Sequence, residues 1–140
     1  GARRLTLFNA RDSFFEAGRV TVEMLRTRLA CDASLCDLAD TRLLKASMAA
    51  SDIFINGTPV GMEDSLDRSV VPDASFFHRG LIVTDLIYVP EETRLLAMAR
   101  AAGCKTVSGL GMQLFQGAEQ FRLWTGRTMP IELARSLLAD

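Results

Sequence analysis

The 140-residue sequence predicts an α/β fold, a doubly wound parallel sheet with helices on both faces. Two observations carry that prediction. Short, nearly unbroken apolar runs such as Ile53-Phe54-Ile55 and Leu81-Ile82-Val83 have the composition of strands covered on both sides. Between them apolar residues recur at helical spacing, so strand and helix signals alternate from end to end.

Residues 4–8 read as a strand with Leu5, Leu7 and Phe8 available for burial. Ser13 and Glu16 have capping-box spacing and open a helix whose apolar face is Phe14, Gly18, Val22, Leu25 and Leu29. A second strand is expected at 34–38, a short helix at 42–49 capped by Thr41, and a third strand at 52–55. Gly57, Pro59 and Gly61 then break the chain into a loop, and the polar stretch 63–79, with Pro72, is expected to hold irregular turns. The next strand is 81–85. Pro90 and Glu91 precede a helix at 92–102 that Gly103 terminates. A strand at 105–107 leads to a helix from about Leu110 to Trp124, on which Phe121 and Trp124 are expected in the core. Gly126 stops that helix, and Pro130 opens a last one carrying Ile131, Ala134, Leu137 and Leu138.

The length suits one domain. Apolar residues make up 49% and charged residues 24%, and 16 basic against 17 acidic residues give a net charge of -1. No basic excess points to nucleic acid or an anionic membrane. The apolar runs fall far short of the roughly 18 residues that span a bilayer. Residues 1–4 enter a strand pattern without a signal-peptide core, so a cytoplasmic location is expected. Cys31, Cys36 and Cys104 lack metal-ligand spacing, and with His78 as the one histidine a zinc site is not expected. The thiols read as structural or merely tolerated. His78, beside Phe76 and Phe77, reads as structural or solvent-facing rather than catalytic.

Ligands of open α/β sheets gather at the carboxyl ends of the strands. The segments there are 9–12, 56–62, 85–90 and 108–112, two of which hold the glycine pairs Gly57/Gly61 and Gly109/Gly111. Glycine permits close backbone approach to a ligand, although composition alone suits plain turns equally well.

The order of residues in these loops is more specific. Asn56-Gly57-Thr58-Pro59-Val60-Gly61-Met62 is similar to the Asn-x-Thr-x-x-Gly-Met loop of shikimate dehydrogenases. The run from Thr84 to Leu96 resembles that family's D-x-x-Y-x-P-x-x-T-x-L-L. The run from Gly109 to Gly126 resembles its G-x-G-M-L-x-x-Q-G-A-x-x-F-x-x-W-T-G, with Gln113 where leucine is usual. Leu7-Phe8-Asn9-Ala10-Arg11-Asp12-Ser13-Phe14-Phe15 resembles the quinate/shikimate branch.

The resemblance implies a Rossmann-like NAD(P)-binding domain and reversible hydride transfer between nicotinamide and a ring hydroxyl of shikimate or quinate. Asn9, Arg11 and Asp12 would face the adenosine ribose, with Phe14 beside them. A carboxylate at Asp12 accepts from ribose hydroxyls and repels a 2′-phosphate, which favours NAD over NADP; Asp12 also suits helix capping. Ala10 stands where the family usually has arginine, weakening NADP binding further, whereas Arg11 still attracts phosphate. Thr58 and Pro59 would lie along the cofactor, Leu86 and Ile87 near the nicotinamide, and Gly109 where its carboxamide meets the backbone. Met62 and Met112 suit either the nicotinamide pocket or the core. Tyr88 and Gln116 would bond substrate hydroxyls or carboxylate.

Two parts the family needs are missing from residues 1–140. No glycine-rich pyrophosphate turn precedes the strand at 4–8, and the catalytic lysine-aspartate pair belongs to a substrate domain upstream. Lys45 and Lys105 are the only lysines, and neither sits in a matching motif, so no catalytic residue is expected here. The sheet should lack its first, central strand, exposing apolar edges at 5–8 and 53–55. A partner is therefore expected, either the upstream substrate domain or a second chain supplying that strand; a homodimer remains open. The competing reading is a non-catalytic, dehydrogenase-derived binding module.

Overall fold

The computed structural model describes residues 1–138, the side chain of Leu138 excepted. The α/β class and the parallel strands are as expected. The chain forms two compact units, Gly1–Ala50 and the remainder from Ser51.

The first unit runs β1 (Arg4–Asn9), α1 (Phe15–Leu29), β2 (Asp32–Asp37) and α2 (Thr41–Ala49). β1 and β2 pair in parallel from Arg4↔Asp32 to Asn9↔Asp37, so both strands end in a polar residue at the same level. Gly18 brings α1 close to β2: a Cβ there would lie 3.2 Å from a Leu35 methyl. Val22 is the buried residue of α1, whereas Phe14 and Leu29 are about 70% exposed, at 71% and 69%. The predicted helix face is therefore narrower than its periodicity, because β2 covers only the middle turns. Ser13 does not cap α1. Asp12 Oδ1 accepts the Phe14 N–H at 2.9 Å and the Asp12 carbonyl accepts that of Phe15 at 3.2 Å, while Glu16 pairs with Arg19 at 3.3 Å. Asp40, not Thr41, caps α2 by accepting from Leu43 N–H at 2.9 Å, so Thr41 becomes the first helical residue.

The second unit holds β3 (Ile53–Asn56), β4 (Ile82–Asp85), α3 (Arg94–Ala101), β5 (Lys105–Val107), α4 (Gly109–Thr125) and α5 (Ile131–Leu138). The sheet order is β3-β4-β5, all parallel. Short 3-10 turns at Glu63–Ser65 and Ala74–Phe76 interrupt the irregular stretch between β3 and β4. Val71, Leu81, Val83, Leu95, Leu96 and Ala99 are almost fully buried and form the core. α3 begins at Arg94, two residues later than expected, because Thr93 Oγ1 accepts from Leu96 N–H at 3.3 Å and sets the helix start.

The apolar edge expected at 53–55 is present, and one predicted burial is overturned. Ile53 and Ile55 are 55% and 58% exposed, because β3 is an edge strand that pairs with β4 alone. Trp124 is 80% exposed and Phe121 half-buried. Helical spacing assigned Trp124 to a face, but α4's buried stripe ends before its last turn, and Gly126, at φ +68°, stops the helix just beyond. Among the described residues no helix is long and apolar enough to cross a membrane.

Candidate functional site

The expected site residues fall into two clusters, one in each unit. In the second unit the residues that end β3 and β4 are the polar pair Asn56 and Asp85, in register with each other and 2% and 0% exposed. Such groups are buried only with partners. Asn56 Nδ2 donates to Asp85 Oδ1 at 3.0 Å. Asn56 Oδ1 accepts from both the N–H and the hydroxyl of Thr58, at 3.0 and 2.8 Å. Asp85 Oδ1 also accepts from Ile87 N–H at 3.1 Å, and its Oδ2 accepts from the Thr93 hydroxyl at 2.7 Å. One buried network thus shapes the loop after β3, the loop after β4 and the start of α3. Thr58, half-buried, is oriented by this network, and Pro59 lies exposed beside it.

The third loop is joined through the backbone. Gly109, the first residue of α4, donates its N–H to the Ile87 carbonyl at 3.0 Å. A Cβ on Gly109 would lie 2.3 Å from the Leu86 carbonyl oxygen and 2.6 Å from that of Ile87, so only glycine fits. Gly61, at φ +114°, packs over Ile87, whose Cδ1 would lie 3.3 Å from an added Cβ. Ile87 is therefore 4% exposed, beneath the loop, while Leu86, Tyr88 and Met112 are 39%, 41% and 45% exposed. Met62 is half-buried. Gln116 is exposed one helical turn beyond Met112 on α4.

In the first unit Asn9 ends β1, and its carbonyl accepts from Leu38 N–H at 2.9 Å. Arg11 Nε donates to Asp37 Oδ2 at 2.7 Å, and its guanidinium lies 4.8 Å from the centre of the Phe15 ring. Asp37 Oδ1 accepts from Ala39 N–H at 2.9 Å. That amide, with the Arg11 guanidinium second, holds the Asp37 carboxyl below its ordinary value. Asp12 accepts the Phe14 N–H with one oxygen, in the turn just ahead of α1, and is exposed, as is Phe14. Arg11, Phe15, Arg19, Val22, Leu35 and Asp37 line a shallow depression of about 310 Å³.

Sequence reasoning gave no role to Asn56, Asp85, Thr93 or Asp37. The available signal was position: each carboxylate or amide ends a parallel strand, where register brings the neighbouring strand's last residue alongside. Among the described residues no three His, Cys, Asp or Glu side chains gather as metal ligands. His78 Nε2 lies 3.2 Å from the Ser51 carbonyl oxygen, a structural contact.

Parallel strands ending in glycine-bearing loops, with crossover helices between them, define a Rossmann-like α/β protein. The comparisons narrow this class. The family model for the Shikimate 5'-dehydrogenase C-terminal domain matches residues 109–138. A curated quinate/shikimate dehydrogenase of Escherichia coli is 42% identical over 138 residues, covering 99% of this chain and 48% of that protein. The crystal structure of a shikimate 5-dehydrogenase from Listeria monocytogenes, in complex with shikimate and NAD, matches at TM-score 0.93 and 38% identity, over 99% of this chain and 48% of that one. A shikimate dehydrogenase in complex with NADP+ matches at TM-score 0.80 and 26% identity, over 99% and 54%. The chain resembles the C-terminal, nucleotide-binding part of the shikimate dehydrogenase family, in its quinate/shikimate branch. It spans about half the length of the curated relatives it matches.

Proposed function

We propose that the chain is the NAD(P)-binding half of a dehydrogenase acting on shikimate or quinate, with NAD favoured over NADP and the substrate domain lying outside residues 1–140. The observation that best supports this is the joining of three strand-end loops by Asn56, Asp85, Thr93 and Gly109. It fixes a rim carrying Leu86, Tyr88, Met112 and Gln116 where a Rossmann-like sheet receives its ligand.

The rim suits a dinucleotide chemically. Leu86 and Met112 offer exposed apolar surface to a ring face, Ile87 supports the rim from beneath, and Gly109, itself buried, seats the start of α4 against the Leu86–Ile87 backbone. Thr58 and Pro59 line the stretch along the ribose and pyrophosphate. Asn9, Arg11, Asp12 and Phe14 form the adenosine side, where the exposed Asp12 oxygen accepts from ribose hydroxyls. The bound nicotinamide supplies the hydride acceptor or donor. Tyr88 and Gln116 position substrate oxygens, so this half contributes orientation rather than a proton-transfer group. The proton is handled by the lysine-aspartate pair of the substrate domain.

The reading includes an incomplete sheet. β1 pairs only with β2 and β3 only with β4, leaving an edge on each sheet and two exposed isoleucines on β3. An upstream strand with the glycine-rich turn is the proposed occupant, a second chain being the alternative.

The test is a kinetic one on the full-length protein, following reduced nicotinamide with shikimate or quinate and NAD+ or NADP+. Turnover with NAD+ preferred is expected, and Asp12→Ala should lose that preference. Dinucleotide binding without turnover would instead identify a non-catalytic binding module. Tight NAD(H) binding by the isolated chain would overturn the incompleteness.

A further inference from the structure

We propose that Asp37 is a positioning residue that sets the dinucleotide preference, by withholding the Arg11 guanidinium from a 2′-phosphate and holding it against Phe15 as a platform for adenosine. The proposal rests on the cofactor reading above and assigns a role to a residue outside the resemblance motifs.

Arg11 is the cation of the β1–α1 loop, and 69% of its side-chain surface is exposed. An unrestrained guanidinium there would favour a phosphate, because its planar fork suits phosphate oxygens. It is not unrestrained. Asp37 is fixed at both oxygens, by Ala39 N–H at 2.9 Å and by Arg11 Nε at 2.7 Å. The parallel register Asn9↔Asp37 puts this carboxylate level with the end of β1, where the Arg11 loop begins. The guanidinium carbon also lies over the Phe15 ring, 4.8 Å from its centre.

The charges around the depression agree with this reading. Arg19 pairs with Glu16 at 3.3 Å, and Arg26 donates to the Ala33 carbonyl at 2.7 Å, so each arginine lining it is tethered within the unit. Glu23 also lines it. With Asp12 and Asp37 flanking Arg11, a 2′-phosphate would meet two carboxylates and one cation that is already engaged. Breaking the Arg11–Asp37 contact to free that cation would leave the carboxylate facing the phosphate.

Calorimetric titration of the full-length protein with NAD+, NADP+, 5′-AMP and 2′,5′-ADP tests this without relying on turnover. Asp37→Asn keeps the acceptor for Ala39 and removes the charge. It should tighten NADP+ and 2′,5′-ADP by about tenfold while NAD+ and 5′-AMP change by less than about threefold. In an Arg11→Ala background the same change should move the NADP/NAD ratio by less than about threefold, because no guanidinium is left to free. Arg11→Ala alone should cost NADP+ little, because the guanidinium is already withheld. If Asp37→Asn folds poorly, that single variant decides, and a tenfold loss of NADP+ affinity would overturn the proposal. So would an Asp37→Asn ratio that is unchanged or moves toward NAD, since Asp37 would then be structural or would present Arg11 to phosphate. A wild-type protein that binds none of the four probes overturns the cofactor reading itself, and this proposal with it.

Discussion

The side-chain amide of Asn56 donates to the carboxylate of Asp85 across 3.0 Å of fully buried interior, joining the last residues of two neighbouring parallel strands. With Thr93 as the third member, the network couples both strand-end loops to the start of α3. Buried polar groups that are fully satisfied specify one arrangement, because every alternative leaves a donor or acceptor unpaired. No buried side-chain nitrogen or oxygen among the described residues lacks a partner.

Removing the acceptor should therefore cost more than removing one donor. Asp85→Ala leaves the Ile87 N–H and Thr93 hydroxyl without their acceptor and the Asn56 amide with only the Val60 carbonyl, and should destabilise the full-length protein by roughly 3 kcal/mol or more in urea unfolding. Thr93→Val loses one bond and the α3 cap, and about 1–2 kcal/mol is expected. A Thr93→Val cost equal to that of Asp85→Ala would mean that the carboxylate is not the hub.

Gly109→Ala should be damaging for a different reason. Its Cβ would overlap backbone carbonyls of Leu86 and Ile87, which cannot rotate away as a side-chain tip can. The β4 loop and α4 must separate, so weaker NAD(H) binding and a lower melting temperature are expected together. Gly111→Ala, with nothing within 4 Å of its added methyl, is the control and should leave stability unchanged or slightly raised.

Asp37 offers a pH readout. Its carboxyl lies below its ordinary 3.8, the Ala39 amide being the larger cause and Arg11 the next. A lowered folded-state value means that the stabilisation is complete above the ordinary value and disappears as pH falls through the lower one. Carbon-detected titration of Asp37 should give a midpoint under 3.8, and Arg11→Ala should recover only part of the shift, since the amide remains.

Burial pushes the Cys104 thiol above its ordinary 9.0, and alkylation proceeds through the thiolate. Iodoacetamide followed by peptide mass spectrometry should therefore modify Cys104 more slowly than the half-buried Cys31 and Cys36. Equal rates at all three would show that the β4–β5 region opens readily.

The sequence by itself determined the α/β class, every strand and helix to within about two residues, and the four loops at the strand ends. These follow from local causes: apolar period, glycine and proline punctuation, and short polar caps. Tertiary structure decided which residues those signals serve. The capping-box spacing of Ser13 and Glu16 goes unused: no side chain caps α1, Asp12 accepts the Phe14 amide in the turn ahead of it, and Glu16 pairs with Arg19. Periodicity put Trp124 on a face but could not say whether anything packs there. Asp85 as a hub and Asp37 as the anchor of Arg11 were invisible for the same reason. A parallel register joins residues 28 or 29 positions apart, Asn9 to Asp37 and Asn56 to Asp85, and no local pattern encodes that proximity.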